Sequence, residues 1–337
     1  MLTRYHKSLI GAFIIFVGVM VFYYYLTQPQ IINKQVITNT QYHHNSVKGA
    51  IQPIPTRIEF DQQWARLGKA LFNSTLLSRD NTIACASCHL VNFGGDDGFP
   101  VSTGIDNRVG TRNSPTVLNA VFNFRQFWDG RSPDLADQVS GPVHNPLEMG
   151  SSWEEVIRKL DQEPQFKRAF LDVHPDGITK DNIIKAITIF EETLITPNAP
   201  IDRYLMGEKD ALTAQQQRGY RKFIEFGCVT CHQGRNIGGN LYQKLGRIDI
   251  VPDYLLNDEG LFSLTQKPSD RYVFKVPSLR NVADTAPYFH NGSVSTLPEA
   301  VSIMAQIQLG LVLEQGDIDD IVALLNAFSS PVYQVKN

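Results

Sequence analysis

The sequence contains only four cysteines in 337 residues, and all four fall in two short clusters. None remains for a structural disulfide or a separate thiolate metal cluster. Charge of one sign is also lacking: 31 Lys and Arg face 34 Asp and Glu, a formal net charge of −3, with no polybasic strip. Nucleic acid is therefore not an expected partner. Alternating strand patterns are sparse, which points to a mainly α fold. Methionine is scarce, with five residues, two of them (Met1 and Met20) near the N-terminus. Proline and glycine are not scarce, 18 and 24 respectively, and imply long shaped loops between the helices.

The two cysteine clusters read Cys85-Ala86-Ser87-Cys88-His89 and Cys228-Val229-Thr230-Cys231-His232. Each is C-x-x-C-H, the spacing at which two thiols attach covalently to a haem and the adjacent histidine binds its iron. A redox-active C-x-x-C or half of a zinc site would leave that histidine unexplained, twice. Two haem c groups are expected, one on Cys85, Cys88 and His89 and the other on Cys228, Cys231 and His232. Each iron has one further axial position, and function turns on it. A second strong ligand makes an electron carrier, whereas a free position permits chemistry on peroxide or dioxygen. Met304 is the candidate second ligand for the second iron; Met149, Met206 and His290 are its rivals.

Taken in order, the chain divides into residues 1–27, 28–55, 56–208 and 209–337. Leu9 to Leu26 is an uncharged run of apolar and aromatic residues preceded by Arg4 and Lys7. It just reaches across a bilayer core and reads as an uncleaved transmembrane anchor with its amino end in the cytoplasm. The competing reading is a signal peptide, which would leave a soluble periplasmic protein, but no A-x-A-like site follows. Residues 28–55 read as a polar tether, on which His43 and His44 are solvated rather than ligands.

Helices are expected over Phe60–Phe72, Trp153–Phe170 and Asn182–Leu194 in the first haem domain. In the second, a Thr213/Gln216 capping box opens a helix that Gly227 closes directly before Cys228. A Thr296/Glu299 box opens Leu297–Gln308, and Asp317 opens Ile318–Phe328, with Ile318, Ile321, Val322, Leu325 and Phe328 as the buried stripe. Gly94-Gly95-Asp96-Asp97-Gly98 lacks the full pattern of a phosphate or calcium loop and reads as a turn.

Several longer stretches resemble the bacterial dihaem cytochrome c peroxidases. They are Gly110-Thr111-Arg112-Asn113-Ser114-Pro115-Thr116-Val117-Leu118-Asn119-Ala120, Gln126-Phe127-Trp128-Asp129-Gly130-Arg131, Asn145-Pro146-Leu147-Glu148-Met149, Lys275 to Ala283, and Thr285-Ala286-Pro287-Tyr288-Phe289-His290. The resemblance covers about residues 55 to 330 and implies two cytochrome c-like helical domains. It makes the first haem the peroxidatic one, with Glu148 as its proton-transferring acid and Gln138 as a positioning group. It makes Trp128 the electron relay between haems and Met304 the sixth ligand of the second iron. It also implies a calcium ion held by Asn113, Thr285 and Pro287; oxygen ligands of this kind suit a hard cation.

At one place the sequence departs from the family. Many members have a histidine in a Ser-x-Gly-His loop that caps the peroxidatic iron until the other haem is reduced. Here the loop reads Ser102-Thr103-Gly104-Ile105, and isoleucine cannot ligate iron; His144 is the nearest substitute downstream. The resemblance thus implies an anchored periplasmic enzyme that reduces hydrogen peroxide without prior reductive activation. Its electron donor would be a soluble cytochrome c, a small copper protein or a quinol, and a homodimer is the family expectation. Two alternatives stand beside it: a MauG-like oxidase that modifies residues of a partner protein, against which Met304 argues, and a non-enzymatic dihaem electron carrier.

Overall fold

The computed structural model describes residues 49–332. The expected membrane anchor, His43, His44 and most of the tether lie outside them. Among the described residues no helix is long and apolar enough to cross a membrane.

Helix α1 (Gln62–Phe72) begins at Asp61, whose carboxylate accepts hydrogen bonds from the Gln63 and Trp64 amides. The longer helices that follow in the first half are α2 (Leu135–His144), α3 (Trp153–Asp161), α4 (Pro164–Val173) and α5 (Lys180–Glu192). The expected single helix over 153–170 is therefore two. Pro164 has no amide hydrogen to continue α3, and its fixed φ suits the first turn of α4, where it sits. The second half is carried by α6 (Ala214–Glu225), α7 (Leu297–Met304) and α8 (Gln315–Asn326). A single π-turn, Ala305–Leu309, extends α7 before Gly310 ends it at positive φ. Strand content is as small as expected: β1 (Tyr242–Lys244) pairs antiparallel with β2 (Val273–Lys275), Tyr242 opposite Lys275.

Each half has its own apolar core. Trp64, Leu67, Leu71, Val156, Leu160, Phe170, Ile183 and Ile187 build the first. Phe223, Ile321, Leu324, Leu325 and Phe328 build the second, where Leu324 is fully buried and the expected Val322 only partly so. At about 1.5–3 kcal/mol for each large side chain removed from water, these cores are the main stabilising term.

The helix leading into each C-x-x-C-H is held the same way. α1 packs on α5 at Gly68, where a Cβ would collide with the Ala186 carbonyl; α6 packs on α8 at Gly219, where it would collide with the Asp320 carbonyl. Only a residue without a side chain permits either approach.

The described residues begin inside the segment read as tether. Ile51 and Ile54 are buried, and Gln52 N and Gly234 N exchange hydrogen bonds with Gly234 O and Ala50 O at 3.1 and 2.7 Å. Ile54 N donates to Asp202, which pairs with Arg280 at 2.7 Å, both side chains fully buried. Residues 50–54 are thus pinned to the second half before the first half begins.

Candidate functional site

Each C-x-x-C-H motif lines a cavity. The first, about 910 Å³, is lined by Cys85, Cys88 and His89; the second, about 260 Å³, by Cys228, Cys231 and His232. Both motifs form one tight turn in which the histidine amide donates to the carbonyl of the first cysteine at 3.0 Å. His89 Nδ1 lies 3.1 Å from the Gly95 carbonyl, an arrangement that assigns the proton to Nδ1 and leaves Nε2 free as a ligand. His232 Nδ1 is buried beside the Ile237 and Pro277 backbone without a well-formed hydrogen bond. Burial pushes both imidazoles down, His232 to about 4, so both are neutral, the form that binds metal. The four cysteines are unpaired, and burial pushes Cys85 up to about 12 and Cys228 to about 11. These are not the depressed thiols of a redox pair. The donor sets and two separate apolar-walled cavities fit two covalent haems.

The first cavity also gathers Glu148, Gln138 and Asn145. Gln138 comes from α2, and Glu148 follows that helix in a turn in which its own amide donates to Asn145 O. Burial raises the Glu148 carboxyl above the ordinary glutamate range, and the 2.6 Å hydrogen bond from Asn145 Nδ2 and the nearby Arg131 charge oppose that rise. The loop carrying Ile105 braces this acid. Gly104 lies so close that a Cβ would strike the backbone of Leu147 and Glu148, and Ile105 N donates to Glu148 O at 2.8 Å. Ile105 itself is fully buried against Gly150 and does not line the cavity. His144 does not line it either; it is exposed and its ring meets Trp153. Besides His89, this cavity has no imidazole in its wall, and its one thioether, Met149, packs into the first core.

In the second cavity Met304, at the end of α7, and His290 both line the wall. His290 is buried and stacks on Phe274 with 4.5 Å between centroids; its Nε2 has no partner, and burial lowers it to about 4. Met206 is half exposed and elsewhere, and Met149 belongs to the other cavity, so two of the rivals fall away.

Trp128, Asn113, Ser114, Pro115 and Thr116 line both cavities. Trp128 Nε1 donates to Asn113 O at 2.9 Å, and Trp128 O accepts from Lys275 N at 2.9 Å. Arg112 ties the junction by pairing with Asp258 and Asp129. Asn113, Thr285 and Pro287 share a wall of the second cavity with Asp96, whose Oδ2 is buried and unpaired. Asn113 Nδ2 donates to Phe99 O, which leaves its amide oxygen for another partner. That oxygen-rich wall fits a hard cation. Among the described residues no cluster of three or more His, Cys, Asp or Glu could hold a metal.

Glu191 and Lys275 are among the lining residues not singled out by sequence. Glu191 follows Ile183 and Ile187 at helical spacing on the buried face of α5, and Lys275 interrupts the apolar run Val273-Phe274-Lys275-Val276. In both, an ionisable residue occupies an apolar position.

Helical lobes around two C-x-x-C-H cavities, joined by one tryptophan, define a dihaem cytochrome c of the peroxidase type. A family model for di-haem cytochrome c peroxidases matches residues 62–210. The chain is 48% identical over 285 residues to the cytochrome c peroxidase Ccp of Escherichia coli, covering 83% of this chain and 61% of that relative's length. It is 42% identical over 307 residues to the cytochrome c551 peroxidase of Pseudomonas aeruginosa, covering 87% and 88%. A solved MauG-like protein associated with microbial copper homeostasis superposes with a TM-score of 0.72 at 27% identity, covering 83% of this chain and 93% of that one. The chain belongs to the di-haem cytochrome c peroxidase family.

Proposed function

We propose that the chain reduces hydrogen peroxide to two waters in the first cavity, with electrons that enter through the second. The observation that carries this reading is the first cavity's wall: an acid with a raised pKa, a glutamine and one histidine, with no second imidazole to close the site. Haem held by Cys85, Cys88 and His89 would supply the two-electron redox chemistry that peroxide reduction needs. Glu148 takes a proton from one peroxide oxygen and returns it to the other, so that the departing oxygen leaves as water; two protons from solvent and the two electrons entering through the second cavity convert the remaining oxygen to the second water. Its burial favours this role, since raising the carboxyl's pKa makes its ionised form a stronger proton acceptor than an exposed glutamate. Gln138 orients the peroxide and Asn145 holds Glu148 in place. Trp128, in the wall of both cavities, carries electrons between them, and Met304 is the second ligand of the second haem.

Because Ile105 braces Glu148 instead of capping the site, the enzyme is active in its fully oxidised form. The rest of the assembly follows the family: calcium on Asn113, Thr285 and Pro287, a homodimer, and a periplasmic enzyme anchored through residues 9–26. Its donor is a soluble cytochrome c, a small copper protein or a quinol. Oxidation of a partner protein in the MauG-like manner is the second reading, favoured by the same absence of a capping histidine and opposed by Met304. A simple electron carrier would have no use for Glu148 in this cavity.

The test is the initial rate of peroxide consumption by fully oxidised protein and by protein whose second haem has first been reduced. Equal onset in both is expected. A lag confined to the oxidised protein means that a ligand caps the first site until reduction.

A further inference from the structure

Lys275 is a buried cation that the proposed mechanism does not use. It lies in β2 with 6% of its surface exposed, in the wall of the second cavity. Among the described residues no carboxylate pairs with its ammonium and no oxygen accepts a hydrogen bond from it; only its backbone amide is engaged, with Trp128 O. The other buried or half-buried cations have partners: Arg280 has Asp202, Arg112 has Asp258 and Asp129, and Lys159 has Glu155 and two backbone carbonyls. Burial alone, with no neighbouring charge to offset it, pushes Lys275 down to about 8. An uncompensated buried charge is strongly destabilising, so a lysine kept here implies an anion that the protein does not provide.

Haem c carries two propionate carboxylates. We infer that Lys275 pairs with a propionate of the haem held by Cys228, Cys231 and His232, and so fixes the charge balance at the junction with Trp128. The inference rests on the haem c reading of the second cavity. Charge complementarity singles out Lys275, since no other lysine or arginine lines this cavity. Pairing stabilises the ammonium, and the ammonium in turn offsets the propionate's negative charge close to the iron. Without it, the unbalanced carboxylate favours the ferric state.

The experiment is a redox titration of K275M, K275Q and K275R beside the wild type at one pH, with haem counted by the pyridine haemochrome. Two haems per chain in every variant establishes that the cofactor reading holds. The second haem's one-electron equilibrium should then shift at least tenfold toward the oxidised form in K275M and K275Q, about 59 mV. The first haem should stay unmoved, and K275R should restore most of the shift. Should the neutral variants fail to fold, K275R and the wild type still decide: a propionate bending band in resonance Raman that shifts between them supports the pair, and an identical band overturns it. Unchanged potentials in folded K275M and K275Q also overturn it. Fewer than two haems in the wild type overturns the cofactor reading and this pairing with it.

Discussion

Apart from the haem-attachment residues, the buried ionisable groups of the first cavity that stand without an opposite charge bonded to them are two acids, Glu148 and Glu191. Those of the second are two bases, Lys275 and His290, and one acid, Asp96. The attachment turns are closely alike, down to the same 3.0 Å hydrogen bond from each histidine amide. Beyond the histidine Nδ1 atoms, of which His89's meets the Gly95 carbonyl and His232's has no partner, the difference lies in the rest of each cavity wall. In the proposed mechanism, acids whose pKa values burial raises stand beside the site of peroxide reduction, where a proton is accepted and returned. A cation and a thioether instead favour the ferrous state, which suits a site that receives electrons. Similar cofactor-binding turns are thus set to two tasks by the walls around them.

The comparison is broken most forcefully at Glu148. Glu148→Gln should leave both haem spectra intact while peroxide turnover falls by about a hundredfold or more, the usual scale for a proton-transfer group; near-normal turnover would remove Glu148 from the mechanism. The same acid sets a pH limb. Only its ionised form accepts a proton, and its pKa is raised, so turnover should fall with decreasing pH at a higher pH than an exposed glutamate would give.

Next comes Met304→Leu, which should abolish the low-spin methionine signature of the second haem and lower its potential, leaving the first haem's spectrum alone. An unchanged spectrum would hand the ligand position to His290. Trp128→Phe tests the junction: electron passage between haems should slow several-fold with neither spectrum altered, and an unchanged rate would place the path elsewhere.

The smallest effect concerns stability. Burial raises Glu191 from 4.5 to about 8, so between those values the folded state holds a proton that the unfolded state has lost. Stability should fall as pH rises through that window, and Glu191→Gln should flatten the slope. Equal slopes in thermal melts of wild type and variant would show that Glu191 does not titrate in the folded state.

Much of this was legible in the residues. The Thr213/Gln216 capping box forms as expected, with both reciprocal hydrogen bonds. C-x-x-C-H specifies its own turn, because a local spacing needs nothing from the rest of the chain. Pro164 divides a stretch that the apolar spacing reads as one helix, because a residue without an amide hydrogen outweighs that spacing. What stayed hidden depends on distant partners. Ile51 and Ile54 sit in polar sequence, and only their contacts with Gly234 and Asp202, far along the chain, show them to be core. The bracing of Glu148 by Gly104 and Ile105 is likewise a meeting of two loops that no periodicity announces. Glu191 and Lys275 lay between these cases: each breaks an apolar pattern, but the pattern alone does not say which cavity it faces.

The most direct test is the electron paramagnetic resonance spectrum of the fully oxidised protein before and after one equivalent of hydrogen peroxide. A high-spin signal from one haem that disappears on adding peroxide is the predicted result, an accessible first site with no reductive step. Two low-spin signals indifferent to peroxide would contradict it, and would mean that a residue other than Ile105 closes the first haem or that the chain only carries electrons.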